Sequence, residues 1–409
     1  MGKSADALPS TDAVPSTTEA LKDAHPPHHA KTFAAPSKDT IYFSPFALLL
    51  LLGWHAITHS TMVNLPVPQV WMEVGFAFAL GSALNSVHAM FMWRASIISW
   101  SVMLLILPYI LPLQYGIAAS AIALMNFIGV WKAADALGGT QPAAIMEGGL
   151  VARVLHFASP VEFRILKEHG QGREGHTKIL SARTGLWKVE LSQTARDYAA
   201  LALTASVRAA LRAPSPVLPD ALRGGGVLYA EVWTIYLFLR LFTGAFSTLL
   251  AACGFQAQPM WAAPLTHATC ISDFWSRRWN LLIHGLFRRT VFKPLTTRGV
   301  PAWAAGALAF FISGAFHEYA FALQQPALRA STGRCLLFFV AQAPVVSAEK
   351  ALRRYVGVPP PFDRSTVLCT LAWTLLLVPP APLFLHPLKT SGVFEQIYDL
   401  VPRLVFGGR

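Results

Sequence analysis

The stretch AWAAGALAFFISGAFHEYAFAL, residues 302–323, places a histidine and a glutamate inside an otherwise apolar segment. The segment is long enough to cross a bilayer as a helix. A charged side chain at the centre of such a helix costs about 2.5–3.5 kcal/mol on insertion scales, so ionisable residues at this depth usually mark a functional site. His317 and Glu318 are therefore the first candidates for chemistry in this chain.

The rest of the chain has the composition of a membrane protein. Of its 409 residues, 54% are hydrophobic and only 13% are charged, whereas a soluble chain carries about 25% charged residues. The apolar residues form blocks, which predict spans at Ile41–His59, Val70–Phe91, Ile97–Leu111, Leu113–Trp131, Val227–Leu250, Ala302–Leu323, Arg334–Ala348 and Thr366–His386. We predict an all-α, polytopic integral membrane protein with roughly eight to nine transmembrane helices, some of them short or re-entrant.

Basic residues in the loops give the predicted topology, because cytoplasmic loops are enriched in Lys and Arg. Arg94 and Lys132 follow two of the spans, so we predict that the N-terminal tail and an insertion at about 132–197 are cytoplasmic. The loop from Cys253 to Val300 is rich in Arg and Lys, with Asp273 as its only acid, and is predicted to be cytoplasmic as well. The insertion and the loop from Cys253 to Val300 have to be separated by an even number of crossings, and Val227–Leu250 supplies one. We therefore predict that Tyr198–Leu211, which bears Arg208, is a marginal span or a re-entrant helix. The formal charge of +12 then reflects topology and anionic ligands, and nucleic acid is not predicted as a partner.

The predicted domain organisation is one membrane-embedded domain with two tails. Residues 1–38 are polar and rich in Pro, Ser, Thr and His, which predicts a disordered cytoplasmic tail. Residues 39–396 form the membrane domain, and residues 397–409 form a C-terminal tail. The four cysteines show neither metal-ligand nor disulfide-framework spacing, so no metal site is predicted.

A second motif, ISDFWSRRWN at residues 271–280, combines aromatic and basic residues. Aromatic side chains suit the membrane interface, and arginine can bind phosphate through two parallel hydrogen bonds. The basic surface continues through Arg288, Arg289 and Lys293. The alternative explanation is a positive-inside loop with an aromatic belt, which accounts for the charge without a ligand.

His317 has the chemistry of a general base. Burial disfavours its charged form, and neutral imidazole can accept a proton from an alcohol. The alternative is a structural histidine bonded to a neighbouring carbonyl. Glu318 points about 100° away from His317 on a helix, so we expect it to pair with a basic group elsewhere. Ser313 and Gly314, one turn earlier, allow close approach of either another helix or a ligand.

Together, the ISDFWSRRWN segment and the SGAFHE segment at residues 313–318 resemble the two signature motifs of wax synthase-like acyltransferases, in the membrane-bound O-acyltransferase superfamily. The similarity in motif order, spacing and span pattern covers about residues 40–390. Ser276 stands where glycine is usual in that family, and Asn280 stands where many fungal members carry histidine.

The resemblance implies roles for individual residues. His317 and Asn280 would be catalytic, and Trp275, Trp279, Arg277, Arg278, Arg288, Arg289 and Lys293 would bind acyl-CoA. Asp273, Phe274, Glu318, Ser313 and Gly314 would shape the motifs. The implied partners are acyl-CoA as co-substrate, with no bound cofactor, and a lipophilic alcohol that enters from the bilayer.

The resemblance also implies an activity and a location. The fungal type would transfer an acetyl group from acetyl-CoA to a hydroxyl of a terpenoid or meroterpenoid secondary metabolite, in the endoplasmic reticulum. The alternative is a long-chain alcohol O-fatty-acyltransferase, that is, a wax ester synthase. A remoter alternative is a transporter in which His317 and Glu318 form an intramembrane proton relay.

Overall fold

The structure, a computed structural model, describes residues 62–90, 94–142, 145, 148–165, 185–213, 219–323, 333–357 and 380–405. The predicted tail at residues 1–38, the predicted span Ile41–His59 and most of the predicted span Thr366–His386 lie outside these residues. The helices are α1 Pro68–Met90, α2 Arg94–Ile110, α3 Gly116–Leu137, α4 Gly149–Ala158, α5 Leu186–Arg212, α6 Asp220–Ala252, α7 Pro264–His267, α8 Ile271–Asp273, α9 Leu281–Phe287, α10 Lys293–Thr297, α11 Ala302–Ala322, α12 Arg334–Val356, α13 Ala381–Thr390 and α14 Val393–Tyr398. Two π-helical turns, Phe274–Arg278 and Arg288–Phe292, interrupt this series.

Four helices in the described residues are long and apolar enough to cross a membrane. They are Pro68–Val87 within α1, Gly116–Leu137, Asp220–Ala252 and Arg334–Val356. Helix α11 spans 21 residues and carries His317 and Glu318, and it is not among these four. The chain is mostly helical, as predicted, and the total of eight to nine spans stays a prediction.

Short strands are the exception to the predicted all-α fold. Antiparallel pairs join β1 Met62–Asn64 to β4 Arg403–Val405, and β2 Phe163–Ile165 to β3 Phe255–Ala257. The β1–β4 pair and the hydrogen bond from the Trp71 indole to the Leu400 carbonyl oxygen, 2.8 Å long, bring the two ends of the described chain together. The predicted C-terminal tail therefore begins within the core rather than outside it.

Helix α5 packs along α6 and is longer than the predicted marginal span. Its Arg208 side chain is nearly buried, and Nε lies 3.3 Å from a carboxylate oxygen of the fully buried Glu231. An oxygen of Glu395 accepts a second contact from the same guanidinium, also at 3.3 Å. Pairing compensates for the burial of these charges, which explains how a basic residue is accommodated in this apolar segment.

The predicted insertion at residues 132–197 begins and ends inside helices. Lys132 belongs to α3 and is fully buried. Its ammonium group donates hydrogen bonds to the carbonyl oxygens of His156, Ser159 and Val161. Lys132 is thus a core residue and not the loop cation that the topology argument assumed, because backbone carbonyls more than twenty positions away enclose it.

Candidate active site

A cavity of about 680 Å³ lies between the ISDFWSRRWN segment, the following turns, α11 and α12. We call it the larger cavity. One face of α11 lines it with small residues, at Ala302, Gly306, Ala307, Ala309 and Ser313. Ala302, Gly306, Ala309 and Ser313 recur every three or four residues, the spacing of a single helix face, and Ala307 lies next to them. The larger cavity therefore follows α11 from its first residue to one turn before His317, about 16 Å along the axis.

Helix α12 forms the opposite wall and gives the larger cavity a gradient of polarity. Phe339, Ala343 and Val346 line its apolar end, and Lys350 and Arg354 line the other end. The helical rise of about 1.5 Å per residue puts Phe339 and Arg354 roughly 20 Å apart. The space therefore suits a long ligand with an apolar or neutral end and an anionic end.

His317 lies beside the apolar end of this cavity. Its Nδ1 is 2.6 Å from the Ser313 carbonyl oxygen. A carbonyl oxygen can only accept, so Nδ1 carries a proton, and in the neutral ring Nε2 then has a free lone pair. The ring stacks on Phe339, with centroids 4.5 Å apart, and meets the edge of Phe384 at 5.4 Å. The backbone contact thus fixes the tautomer that a general base requires.

A smaller cavity of about 110 Å³ lies on the other side of the same aromatic residues. Trp275, Trp279 and Phe339 line both cavities, and Phe384 lines the smaller one. Because Phe339 and Phe384 both contact His317, the imidazole is one aromatic layer from the smaller cavity. Two ligands could therefore approach His317 from different directions.

Asp273 organises the two arginines of the ISDFWSRRWN segment. Its carboxylate oxygens lie 2.8 Å from Arg277 Nε and 2.6 Å from Arg278 Nε, and Arg278 also donates to the Ala262 carbonyl oxygen. Burial would raise the pKa of the Asp273 carboxyl, but hydrogen bonds from Arg278 and Thr269 and the two guanidinium charges hold it below its ordinary value. Both arginines are thus engaged within the segment, with Arg277 half exposed.

The π-helical turn explains why one carboxylate reaches both arginines. The Trp279 N–H donates to the Phe274 carbonyl oxygen at 2.8 Å, five residues back. This wider turn keeps Arg278 on the side of Asp273, where an ordinary α-helix would rotate it away. Phe274 is buried and stacks on Trp279, with centroids 5.3 Å apart. Such π-turns occur frequently at functional sites.

Asn280 adopts a left-handed backbone conformation, with φ 43° and ψ 64°. Its Oδ1 accepts a hydrogen bond from the Ile283 N–H at 3.3 Å and so caps α9. The residue also lines the larger cavity. Asparagine, aspartate and histidine tolerate this backbone region better than most residues, which accounts physically for the residue types that the signature allows here. The cap uses Oδ1 and leaves the Nδ2 amide as the donor.

Helix α12 holds the ISDFWSRRWN segment in place. Glu349 accepts hydrogen bonds from the Ser272 N–H at 2.9 Å and the Ser272 hydroxyl at 2.8 Å. The Trp275 indole donates to Gln342, which is buried, at 3.2 Å. The same helix carries Phe339, so it connects this segment to His317.

Glu318 also acts on α12. Its Oε1 accepts a hydrogen bond from the Leu336 N–H at 3.0 Å. Leu336 lies in the first turn of α12, where backbone N–H groups lack helical partners and a carboxylate is favoured by the helix dipole. The expected partner of Glu318 is therefore a helix terminus and not a basic side chain.

Gly314 allows α11 and α12 to approach closely. A Cβ atom at this position would lie 2.9 Å from Leu336 Cα and 3.2 Å from Phe339 Cβ. Of the two explanations for the small residues before His317, helix packing therefore applies to Gly314. Ser313 instead lines the larger cavity and provides the carbonyl oxygen for His317.

Gly314→Ala is therefore expected to displace α12 and lower stability by about 1–3 kcal/mol, the usual cost of overpacking. Thermal unfolding in detergent should show a lower Tm, and Gly314→Val should lower it further. Gly75→Ala is the control, since a Cβ there meets nothing within 4 Å. Equal melting temperatures for Gly314→Ala and Gly75→Ala would contradict the close approach.

The cations of the larger cavity are only in part those that the sequence suggested. Arg288 lines it, as do Lys350 and Arg354. Among the described residues, none offers these three a carboxylate within ion-pair distance. Burial lowers the pKa of the nearby His284, and the charges of Arg288 and Lys350 lower it further. These three cations therefore form one unneutralised patch at the mouth of the cavity.

Arg289 and Lys293 do not line the larger cavity. The Arg289 guanidinium lies 2.9 Å from Asp135 and also pairs with Glu162. It thus ties the turn after α9 to α3 and to the chain before β2. Lys293 is exposed at the start of α10. Lys350 and Arg354 were not selected from the sequence, although their helical spacing from Phe339 places all three on one face.

Comparison with known proteins identifies the same region. Residues 258–341 match the sequence model of the Membrane bound O-acyl transferase family. The matched range contains the ISDFWSRRWN segment, all of α11 and the first turns of α12, which are the walls around His317.

Plant acyltransferases are among the individual relatives. "Probable long-chain-alcohol O-fatty-acyltransferase 1" of Arabidopsis thaliana is 31% identical over 178 residues, which are 41% of this chain and 48% of the relative. "Acyl-CoA--sterol O-acyltransferase 1" of the same plant is 27% identical over 172 residues, 40% and 49% of the two chains. "Diacylglycerol O-acyltransferase 1C" of Glycine max is 27% identical over 96 residues, 24% and 18%. The chain spans about half the length of the long-chain-alcohol relatives that it matches.

Proposed function

We propose that this chain is an integral membrane O-acyltransferase that moves an acyl group from acyl-CoA to the hydroxyl of a lipophilic alcohol. The observation that carries the proposal is the His317 contact, in which Nδ1 donates to the Ser313 carbonyl oxygen and Nε2 is left as a base. The cavity beside it, apolar near Phe339 and basic near Arg354, supports a donor with a thioester at one end and phosphates at the other. The family match and the relatives support the same class of reaction.

In the proposed reaction, His317 carries out one proton transfer during attack of the alcohol and one during departure of CoA. Nε2 accepts the proton of the alcohol as its oxygen attacks the thioester carbonyl carbon. The tetrahedral intermediate then collapses, the carbon–sulfur bond breaks, and the imidazolium returns the proton to the departing CoA sulfur. The enclosed, aromatic surroundings of His317 exclude water, which favours transfer to the alcohol over hydrolysis.

Two acyl groups are candidates, and different observations favour them. The resemblance to fungal enzymes favours an acetyl group and a terpenoid-type metabolite, with the endoplasmic reticulum as the site of action. The names of the Arabidopsis relatives favour a long acyl chain and a fatty alcohol. Microsomes that contain the chain, supplied with acetyl-CoA or a long-chain acyl-CoA and each class of alcohol, distinguish the two by their ester products. No thioester-dependent ester from any pair would contradict the proposed activity.

The basic patch is proposed to bind the phosphates of the donor. The double substitution Lys350→Ala/Arg354→Ala is expected to raise the KM for acyl-CoA by about tenfold or more, because hydrogen bonds to charged groups contribute about 1.5–3 kcal/mol each. The KM for the alcohol should change little. Steady-state kinetics in detergent micelles would measure both.

The control for this prediction is Lys293→Ala, an exposed cation outside the cavity. A second control uses an S-acyl-pantetheine donor, which lacks the phosphates. The double variant and the wild type should use that donor equally well. If the double variant loses activity equally with both donors, the patch has a structural role and does not bind phosphate.

A further inference from the structure

The wall of the smaller cavity contains one polar side chain that has no acceptor in the wall. Of its thirteen lining residues, only Tyr229, Trp275 and Trp279 carry a side-chain polar atom. The Trp275 indole N–H donates a hydrogen bond to Gln342, and Trp279 belongs to the wall shared with the larger cavity. Tyr229, on α6, is therefore the polar residue that belongs to the smaller cavity alone.

The Tyr229 hydroxyl is buried, and no described residue accepts its proton. The indole of Trp233, one helical turn further along α6, approaches it. An indole N–H can only donate, so Trp233 cannot accept the hydroxyl proton. A buried donor without an acceptor costs free energy. A ligand oxygen in this cavity would therefore supply the acceptor that the protein does not provide.

The position of the cavity indicates which ligand it takes. Phe339 and Phe384, which line it, are also the rings that contact His317. The unpaired cations line the larger cavity, so that is where the donor phosphates are proposed to bind. An acceptor in the smaller cavity would contact the Tyr229 hydroxyl and the rings of Phe339 and Phe384, and one of these rings has to rotate aside for the acceptor hydroxyl to reach His317.

We propose that the smaller cavity binds the alcohol acceptor and that Tyr229 donates a hydrogen bond to a second oxygen of that acceptor, remote from the hydroxyl that is acylated. This inference rests on the proposed function and narrows its substrate class. The acceptor is an oxygenated, compact alcohol such as a hydroxy ketone or a diol. A plain alkyl alcohol fills the cavity but leaves the tyrosine proton without an acceptor. A cavity of about 110 Å³ holds roughly one ring of such a molecule.

The test compares two acceptors on one carbon skeleton, a cyclic monoalcohol and its hydroxy ketones. For the wild type, kcat/KM should favour the best hydroxy ketone by about tenfold, the contribution of one hydrogen bond. In Tyr229→Phe this ratio should fall to near one. The variant should fold, because removing an unpaired buried hydroxyl relieves a cost. Tyr109→Phe, which alters an exposed tyrosine on α2, is the matched control and should keep the wild-type ratio.

Other results would overturn the inference. A wild-type ratio near one would do so, and so would an equal ratio in the wild type and Tyr229→Phe. A change in acyl-chain preference without a change in the acceptor ratio would assign the cavity to the acyl group instead. Binding separates this inference from the transferase assignment. If no ester forms, but the hydroxy ketone raises the Tm of the wild type more than that of Tyr229→Phe, the cavity assignment stands and the activity does not.

Discussion

Replacing His317 with alanine is expected to lower ester formation by at least about 100-fold, the lower end of the contribution of a general base. The protein should still reach the membrane in normal amounts, since the ring, among the described residues, hydrogen-bonds to its own helix and otherwise packs against neighbouring aromatic side chains. The measurement is the initial rate of product formation in membranes, normalised to the amount of folded protein. His317→Gln is the more exact variant, because its amide can still donate to the Ser313 carbonyl oxygen but cannot act as a base.

The control is a second histidine beside the same cavity. His284 lines the larger cavity on α9, and no proton transfer is proposed for it. His284→Gln should change the rate by only a few fold. If His317→Gln and His284→Gln retain similar activity, His317 is a structural histidine satisfied by its carbonyl, which was the alternative from the sequence.

The sequence predicted the helices well where apolar composition alone decides them. The predicted spans from Val70 to Leu250 correspond to α1, α2, α3 and α6, with ends that differ by up to seven residues. The end of the predicted insertion was misplaced because α5 begins at Leu186 with mixed polar and apolar residues, which do not resemble a span. Its polar side chains are instead satisfied by pairing with α6, as Asp197 is by Arg240 at 3.0 Å.

Long-range charge pairs were the main obstacle to predicting the site. Arg289 appears from its neighbours to be part of a basic cluster. Its partners Asp135 and Glu162 lie more than one hundred residues earlier in the chain, and nothing local indicates them. The spacing of four residues between Asp273 and Arg277 is typical of a contact within a helix. The pairing with Arg278 depends on the π-helical turn, which no local sequence pattern indicates.

The backbone of Asn280 was equally hidden, and it changes how this residue has to be tested. An alanine at a left-handed position costs about 1–2 kcal/mol, and loss of the cap costs about 1 kcal/mol more. Asn280→Ala would therefore lower activity through the fold even if the amide took no part in the reaction. Substitutions that keep the backbone and the cap are needed to isolate the chemistry.

Asn280→Asp is expected to lower kcat by about 100- to 1,000-fold with little change in either KM or in Tm. Aspartate tolerates the left-handed conformation and can accept the Ile283 N–H as asparagine does. It lacks the Nδ2 donor, which is proposed to stabilise the negative charge that develops on the thioester oxygen in the transition state, an effect of this size. The carboxylate would also oppose that charge.

Asn280→Gly and Asn280→His complete the experiment. Glycine adopts the left-handed backbone freely and removes the side chain, so it should lose kcat as aspartate does. Histidine tolerates the conformation and provides a ring N–H, so it should retain a substantial part of the activity. Wild-type rates in both Asn280→Asp and Asn280→Gly, at unchanged Tm, would reduce Asn280 to a capping residue. The charge on the thioester oxygen would then have to be stabilised by another donor along the larger cavity. The Trp279 indole is the neighbouring donor in the same segment, because the Ser276 hydroxyl already donates to the Ser272 carbonyl oxygen.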